Sequence, residues 1–462
     1  MGRAAAGEEH RMYRRSIPGL LSGLVLSPGR SPLACGSLPD IRVLTSFPPA
    51  VFEPFRDEFE AAHPGCRVDF IQRNTTAAVT RIASSEWGPG AADLFWASAP
   101  DAFEWLKAGG RLARTAPRPT GAPARVAGQP VDDADGTYLG FAVSAYGLAY
   151  NPEALADAGI GLPHRWEDLA AAAYHGHLGL SPPSRSGTTH IVVEALLQRL
   201  GWDQGWRVLR GIGGNLATLT ARSFGVTSGV ARGRFAIGIS IDFLATGGAE
   251  AAGSLRFMVP DEPVVAPASI GVLADAPNPE GAESFIDFVL SPAGQALLRR
   301  PGIGRTPLHP PEALARFPAE GVPLDHALSA RRYELVNLLF DEAVTHRQAE
   351  LSFLTRRLHA VEARLAQQSD HAVTAAATAA RAALFDPPLE EADANDPDLA
   401  GGMVRVPRTV PRTASQAVFE ARLRQRLEAG AARAAAALRL AEQRLGIVPD
   451  PAAAPAPGLR RP

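Results

Sequence analysis

The chain has 462 residues, 46% of them apolar, with a formal net charge of −2, enough to bury a large core and to divide into two or more domains. Near neutrality excludes the strongly basic face that nucleic acid or an acidic membrane surface selects. Apart from Lys107 the positive charge is arginine, which we read as coding bias rather than function.

Residues 1–39 read as a leader. Arg11, Arg14 and Arg15 make a positive start, residues 17–26 a short apolar stretch, and small residues follow at Ala34-Cys35-Gly36. The mature chain then begins near residues 36–40 in the periplasm, by the general secretory or the twin-arginine route. Pro32 spoils a lipoprotein box at Leu33-Ala34-Cys35, so lipid anchoring at Cys35 is not expected. The apolar stretch is too short to span a membrane. With Cys35 and Cys66 the only cysteines, no disulfide framework is expected, and Cys66 reads as a lone, buried small residue.

Strands and helices then alternate, which predicts an α/β fold. A strand at 41–44 runs into Thr45-Ser46. Pro48-Pro49 opens a helix that carries Phe52, Phe55 and Phe59 at helical spacing and ends at Pro64-Gly65. A strand at 68–71 meets Arg73-Asn74-Thr75-Thr76, and one at 94–96 meets Ala97-Ser98. Residues 139–150 form a long strand suited to crossing between lobes. A strand at 177–180 leads to Arg185-Ser186-Gly187-Thr188-Thr189 and a helix at 191–200. One at 216–219 leads to Arg222-Ser223 and a helix at 224–232, and one at 235–241 ends at Asp242. The stretch 269–273 returns the chain, and Pro279 and Pro292 open two more helices.

At four of these junctions a strand ends in a polar cap that opens a helix. Each collects free backbone N–H groups and the positive end of a helix dipole, and Arg73, Arg185 and Arg222 stand beside three of them. That chemistry captures anions. Candidate ligand contacts are therefore Thr45, Ser46, Arg73, Thr75, Thr76, Ser186, Thr188, Thr189 and Ser223, with Arg185 and Arg222 as charged donors and Gly187 allowing close backbone approach. Ser98 adds a donor and Trp96 an apolar wall. Asp242 either accepts from a ligand hydroxyl or amine or balances Arg222. His175 and His177 lack a third ligand nearby, so no metal site and no cofactor are expected.

Beyond residue 310 the composition turns to Ala, Arg, Glu and Gln. Val344, Leu351, Leu354, Leu358, Val361 and Leu365 fall on one seam of a helix at 330–367, with Arg347 interrupting one position. The expected organisation is lobe 1 at 40–140 and 266–310, lobe 2 at 141–265, and a helical extension at 311–385. An acidic, Pro-rich linker at 386–414, a last helix at 415–446 and a disordered tail at 447–462 follow. The last helix either folds back on the first long one or mediates self-association or a sensor contact through residues 330–446.

The segments Thr45-Ser46-Phe47-Pro48, Asp93-Leu94-Phe95-Trp96-Ala97-Ser98, Ser184-Arg185-Ser186-Gly187-Thr188 and Ala276-Pro277-Asn278-Pro279-Glu280 carry a resemblance over residues 41–310. The chain resembles bacterial ABC-transporter solute-binding proteins of the type II periplasmic fold. Within them it is similar to the branch of ferric-iron and phosphorylated-solute binders that includes the phosphoglycerate transport regulatory protein. The resemblance implies two lobes closing on a small organic anion, delivery to an inner-membrane ABC permease, and no enzymatic activity. Iron binders of that branch place adjacent tyrosines in the second lobe as hard Fe(III) ligands. Here the aligned region reads Ile241-Asp242-Phe243, and no Tyr-Tyr pair occurs. The expectation is a phosphorylated solute. The rivals are a sensory protein signalling to a membrane kinase and a ferric-iron binder.

Overall fold

The computed structural model describes residues 35, 40–84, 91–116, 118, 121–247, 254–403 and 413–448. In lobe 1, β1 (Asp40–Thr45) pairs in parallel with β2 (Arg67–Gln72) and β3 (Leu94–Ala97). The helices α1 (Pro49–Ala62) and α2 (Thr75–Ala83) connect them, and α3 (Pro100–Ala108) follows β3. A short hairpin, β4 (Arg125–Val126) and β5 (Gln129–Pro130), precedes the long strand β6 (Leu139–Tyr150).

Lobe 2 opens with α4 (Pro152–Ala158) and continues through β7 (Leu178–Leu180), α5 (Gly187–Leu200), α6 (Trp202–Gly214), β8 (Leu216–Leu219), α7 (Ser223–Ala231), β9 (Ile237–Ile241) and α8 (Asp242–Thr246). Here β9, β7 and β8 are parallel. After β10 (Arg256–Met258), β11 (Val264–Val272) returns the chain to lobe 1 and its helices α9 (Pro279–Leu290) and α10 (Pro292–Leu298), and β12 (Thr306–Pro307) joins β6. One sheet runs through both lobes in the order β2-β1-β3-β11-β6-β9-β7-β8. Residues 139–146 of β6 pair antiparallel with β11, while residues 146–150 pair with β9. These two strands are the crossings, and their continuous burial explains why β6 reads as an almost wholly apolar run, with Ser144 in its middle. In lobe 1 the core closes around Trp96, whose ring meets Phe55, Phe47 and Phe141 at centroid distances of 5.1, 5.2 and 5.4 Å.

Cys35 forms a disulfide with Cys66, their Cα atoms 5.7 Å apart. This overturns the reading of Cys66 as a lone thiol: residue 35, within the stretch expected as a leader, is packed against lobe 1. Residues 1–34 and 36–39 of the expected leader, and 449–462 of the expected tail, lie outside the described residues.

The C-terminal part is helical: α11 (His326–Arg331), α12 (Tyr333–Phe340), a π turn at Asp341–Thr345, α13 (Gln348–Leu365), α14 (His371–Phe385), α15 (Glu391–Ala394), α16 (Pro397–Gly402) and α17 (Ala414–Leu445). The single helix expected at 330–367 is interrupted where Arg347 breaks the apolar seam. α17 folds back along α14 and α13, and Arg357 clasps Glu442 through two bonds of 2.7 and 2.6 Å. The layer is seated on α6, whose glycines make room for it: a Cβ on Gly213 would lie 2.7 Å from Val344, and one on Gly214 2.2 Å from Thr355. The expected linker is corrected over residues 386–403, while its residues 404–412 lie outside the described residues. Leu389, Ala394, Ala400 and Met403 are buried, and Trp202 Nε1 donates to the Leu389 carbonyl at 2.7 Å. Those apolar positions override the acidic, Pro-rich composition around them.

α11 and α12 bridge the lobes. They pack on α3 of lobe 1, while Arg332 donates to the Glu194 carboxylate of α5 in lobe 2 at 3.1 and 2.7 Å, with both side chains buried. Beside this pair His190 Nε2 of α5 lies 3.3 Å from Asp101 Oδ2 of α3, an ion-pair distance without hydrogen-bond alignment.

Candidate ligand-binding site

Between the lobes lies a cavity of about 40 Å³, room for a few water-sized groups. Lobe 1 contributes Ser46, Phe47 and Pro48 ahead of α1, Asn74 and Thr75 at the start of α2, and Ser98 ahead of α3. Lobe 2 contributes Arg185, Ser186, Gly187 and Thr188 at the start of α5, Arg222, Ser223 and Phe224 at the start of α7, and Phe243 and Leu244. Three helices of eight or more residues, α2, α5 and α7, thus aim their N-terminal N–H groups at one space.

The caps hold these ends in shape. Asn74 Oδ1 accepts from the Ala77 N–H at 2.8 Å, and Ser186 Oγ accepts from the Thr189 N–H at 3.1 Å. Ser186 and Ser223 share a hydroxyl hydrogen bond of 2.7 Å, tying α5 to α7. Across the cleft a Cβ on Gly187 would lie 3.0 Å from both Ala99 Cβ and Thr75 Oγ1, so the lobes meet where the glycine lies. Among the described residues no carboxylate pairs with Arg185 or Arg222, and no aspartate, glutamate, histidine or tyrosine lines the cavity. Two unneutralised guanidinium groups and three helix N-termini give this space a positive potential.

Six expected contacts do not line the cavity. Thr45 is buried, its hydroxyl donating to the Trp96 carbonyl at 2.8 Å, and Trp96 is core. Arg73 is exposed and turns back to the Gln72 carbonyl. Thr76 is buried off the wall, and the Thr189 hydroxyl donates to Ser186 Oγ. Asp242 accepts from the Ala145 and Phe243 N–H groups and lies 4.0 Å from Arg316, not beside Arg222. Burial raises its pKa. Of the two histidines weighed as metal ligands, His175 is bonded to Asn215.

One residue of the site escaped the sequence reading. Arg305, 2% exposed, lies directly behind the wall, inside a cage of Phe243, Phe47 and Phe141 with its Cζ 4.1, 4.6 and 5.1 Å from their ring centres. Its Nη2 donates to Ser98 Oγ at 2.7 Å. No local signal marks it, since the rings that bury it come from three distant segments.

The sequence model for bacterial extracellular solute-binding proteins matches residues 91–321, half of the chain. The phosphoglycerate transport regulatory protein PgtC of Salmonella typhimurium is 37% identical over 236 residues, covering 50% of this chain and 59% of that relative's length. Among solved structures, the periplasmic binding protein AfuA of Actinobacillus pleuropneumoniae, with exogenous fructose-6-phosphate bound, superposes with a TM-score of 0.59 at 20% identity, over 65% of this chain and 98% of AfuA. The apo ferric ion-binding protein A of Pasteurella haemolytica gives 0.54 at 16% identity, over 66% and 98% of the two chains. The fold is thus that of the two-lobed type II periplasmic binding proteins.

Proposed function

The chain belongs to the bacterial extracellular solute-binding protein family, and from that premise we propose that it is the periplasmic receptor of an ABC importer for a small phosphorylated organic anion. The cleft supports this reading through one observation above the others: Arg185 and Arg222, without carboxylate partners among the described residues, face the same space as the N-termini of α2, α5 and α7. The ligand's oxyanion takes its hydrogen bonds from those N–H groups, from the hydroxyls of Ser46, Thr75, Ser98, Thr188 and Ser223, and from the two guanidinium groups. Closure excludes water and strengthens each bond. The small cavity holds the anionic group, and the rest of the solute enters as the lobes part. The similarity to PgtC, a phosphoglycerate transport regulatory protein, and to AfuA, whose structure has fructose-6-phosphate bound, favours a phosphorylated solute over other anions. Ferric iron is disfavoured by a cavity wall without phenolate or carboxylate oxygen.

Calorimetric titration of the purified chain with inorganic phosphate, 3-phosphoglycerate, fructose 6-phosphate, a dicarboxylate and Fe(III) tests this. The expected result is binding confined to phosphorylated compounds and phosphate, weakened by roughly 1.5–3 kcal/mol in Arg185→Ala and in Arg222→Ala, the range for a hydrogen bond to a charged group. Binding of Fe(III) alone, or unchanged affinity in both variants, refutes it. A regulatory reading, in which the liganded lobes signal to a membrane kinase, draws on the helical layer over lobe 2 and on the name of PgtC. Ligand-dependent association with a kinase ectodomain rather than a permease would favour it.

A further inference from the structure

Arg305 follows α10, its N–H donating to the Leu298 carbonyl at 2.8 Å, and its guanidinium occupies an apolar aromatic cage. Nε and Nη1 are buried with no hydrogen-bond partner, and no carboxylate lies at ion-pair distance among the described residues. Asp242 acts on it only through space. Burial lowers its pKa to about 10, which leaves it charged at neutral pH. A charge kept this dry with two unanswered nitrogens, carrying three N–H groups between them, destabilises a fold, and an apolar side chain of similar length would serve the packing better. The arrangement therefore calls for a purpose other than holding the lobe together.

Its one hydrogen bond supplies that purpose. A serine hydroxyl offers one donor and two acceptor positions, whereas a guanidinium only donates. Ser98 Oγ accepts from Arg305 Nη2 on the buried side, so its own hydrogen is turned elsewhere, and Ser98 lines the cavity. We infer that Arg305 is a positioning residue of the ligand site: it turns the Ser98 hydrogen toward the cleft, so this point favours a strong acceptor, the oxygen of an ionised phosphate or carboxylate. The charge behind the hydroxyl polarises its O–H bond, and the aromatic cage keeps the local dielectric low. A sugar hydroxyl gains less at this point, because its oxygen is a weaker acceptor than an ionised one. The inference rests on the anion-binding reading above and names a residue that selects the ionised end of the solute.

A double-mutant cycle on the full chain, titrated with inorganic phosphate, tests it. Ser98→Ala and Arg305→Met are each expected to weaken phosphate about tenfold, the effect of one hydrogen bond to a charged group. The double variant is expected to be no weaker than about twentyfold, because both changes remove the same interaction. In the free protein Arg305→Met should leave the melting temperature unchanged or raise it, which a merely structural arginine would not do. Should Arg305→Met fail to fold, Arg305→Lys, which keeps the charge and loses the planar fork, takes its place in the cycle. Phosphate affinity within twofold of wild type in the arginine variant, or losses that multiply to about a hundredfold in the double variant, overturns the inference. If wild type and Arg185→Ala behave as proposed while the cycle fails, only Arg305 is misassigned. If wild type binds neither phosphate nor any phosphorylated compound, the receptor reading falls with it.

Discussion

Gly187 is the point at which closure and ligand capture are most tightly joined, and Gly187→Ala is the sharpest single perturbation of both. The added Cβ would stand 3.0 Å from Ala99 Cβ and 3.0 Å from Thr75 Oγ1 on the opposite lobe. Carbon atoms rest at about 3.5–4.0 Å, so the lobes must part by roughly 0.5 Å or more. A ligand bridging α2 and α5 would then have its bonds to one lobe stretched from about 2.9 Å to about 3.4 Å, past the range of good geometry. Losing the equivalent of one hydrogen bond to a charged group costs about 1.5–3 kcal/mol, a weakening of roughly 10- to 150-fold. Helix propensity works the other way, since alanine is the better helix former, so a loss of affinity would not reflect a weakened α5. Calorimetric titration with the best phosphorylated ligand measures the loss. Adding Ala99→Gly to Gly187→Ala removes one of the two contacts and should restore part of the affinity. Wild-type affinity in Gly187→Ala would refute the contact argument, and so would a loss that Ala99→Gly leaves untouched.

The bridge between the lobes yields a second test: Arg332→Met leaves Glu194 buried without its cation, with the Gln198 amide still donating to it, and should cost about 3–5 kcal/mol by urea denaturation. Replacing Glu194 by Met as well should recover most of that loss, and a single variant as stable as wild type would show that the pair is not buried in solution. Burial raises the Asp101 carboxyl from 3.8 to about 6, against opposing influence from His190 and a smaller raising one from Glu194. A folded carboxyl raised in this way favours the native state below about pH 4 and loses that contribution as pH rises through about 6, on the order of 3 kcal/mol in all. Asp101→Asn should therefore flatten the rise in stability that wild type shows on acidification from pH 7 to 5, and an unchanged profile would reject the assignment. Cys66→Ser opens the loop between residues 35 and 66 and should lower stability by about 3–4 kcal/mol on the chain-entropy account. An equal melting temperature with and without reductant would contradict the pairing.

The strand and cap pattern was legible where a short apolar strand leads to a polar residue that the next helix needs as its cap. Asn74 after β2 and Ser186 after β7 both fill that position. The continuous burial of β6 likewise shows in its sequence. Other features depend on contacts that no local window contains. α6 carries Gly205, Gly211, Gly213 and Gly214, which lowers its propensity and hides it as a helix; Gly213 and Gly214 are there because the π turn and α13 approach within a methyl's reach. The pairing of Cys35 with Cys66 was obscured by the leader reading, and Arg305 by the distance in sequence between the three rings that enclose it.

Among the expected contacts, the division between those that reach the cleft and those that do not follows from geometry at the junctions. The last residue of a strand keeps the alternation of the sheet and is held by its neighbours, so Thr45 spends its hydroxyl on the Trp96 carbonyl while Ser46, one step further, faces the cavity. Ser98 lies past the end of β3, where alternation no longer holds, so it reaches the wall while Trp96 stays in the core. In the first helical turn each step rotates the side chain by about 100°, so Thr75 faces the cleft and Thr76 the core, and Thr188 lines the wall while Thr189 turns to Ser186. Asp242 obeys the same rule from lobe 2. It opens α8 with its carboxylate turned to the Ala145 N–H of the crossing strand, and the next residue, Phe243, presents its ring to the cavity on one side and to Arg305 on the other. An acid at that strand end thus contributes to the hinge and leaves the positive potential of the cleft uncancelled, as an anion receptor requires.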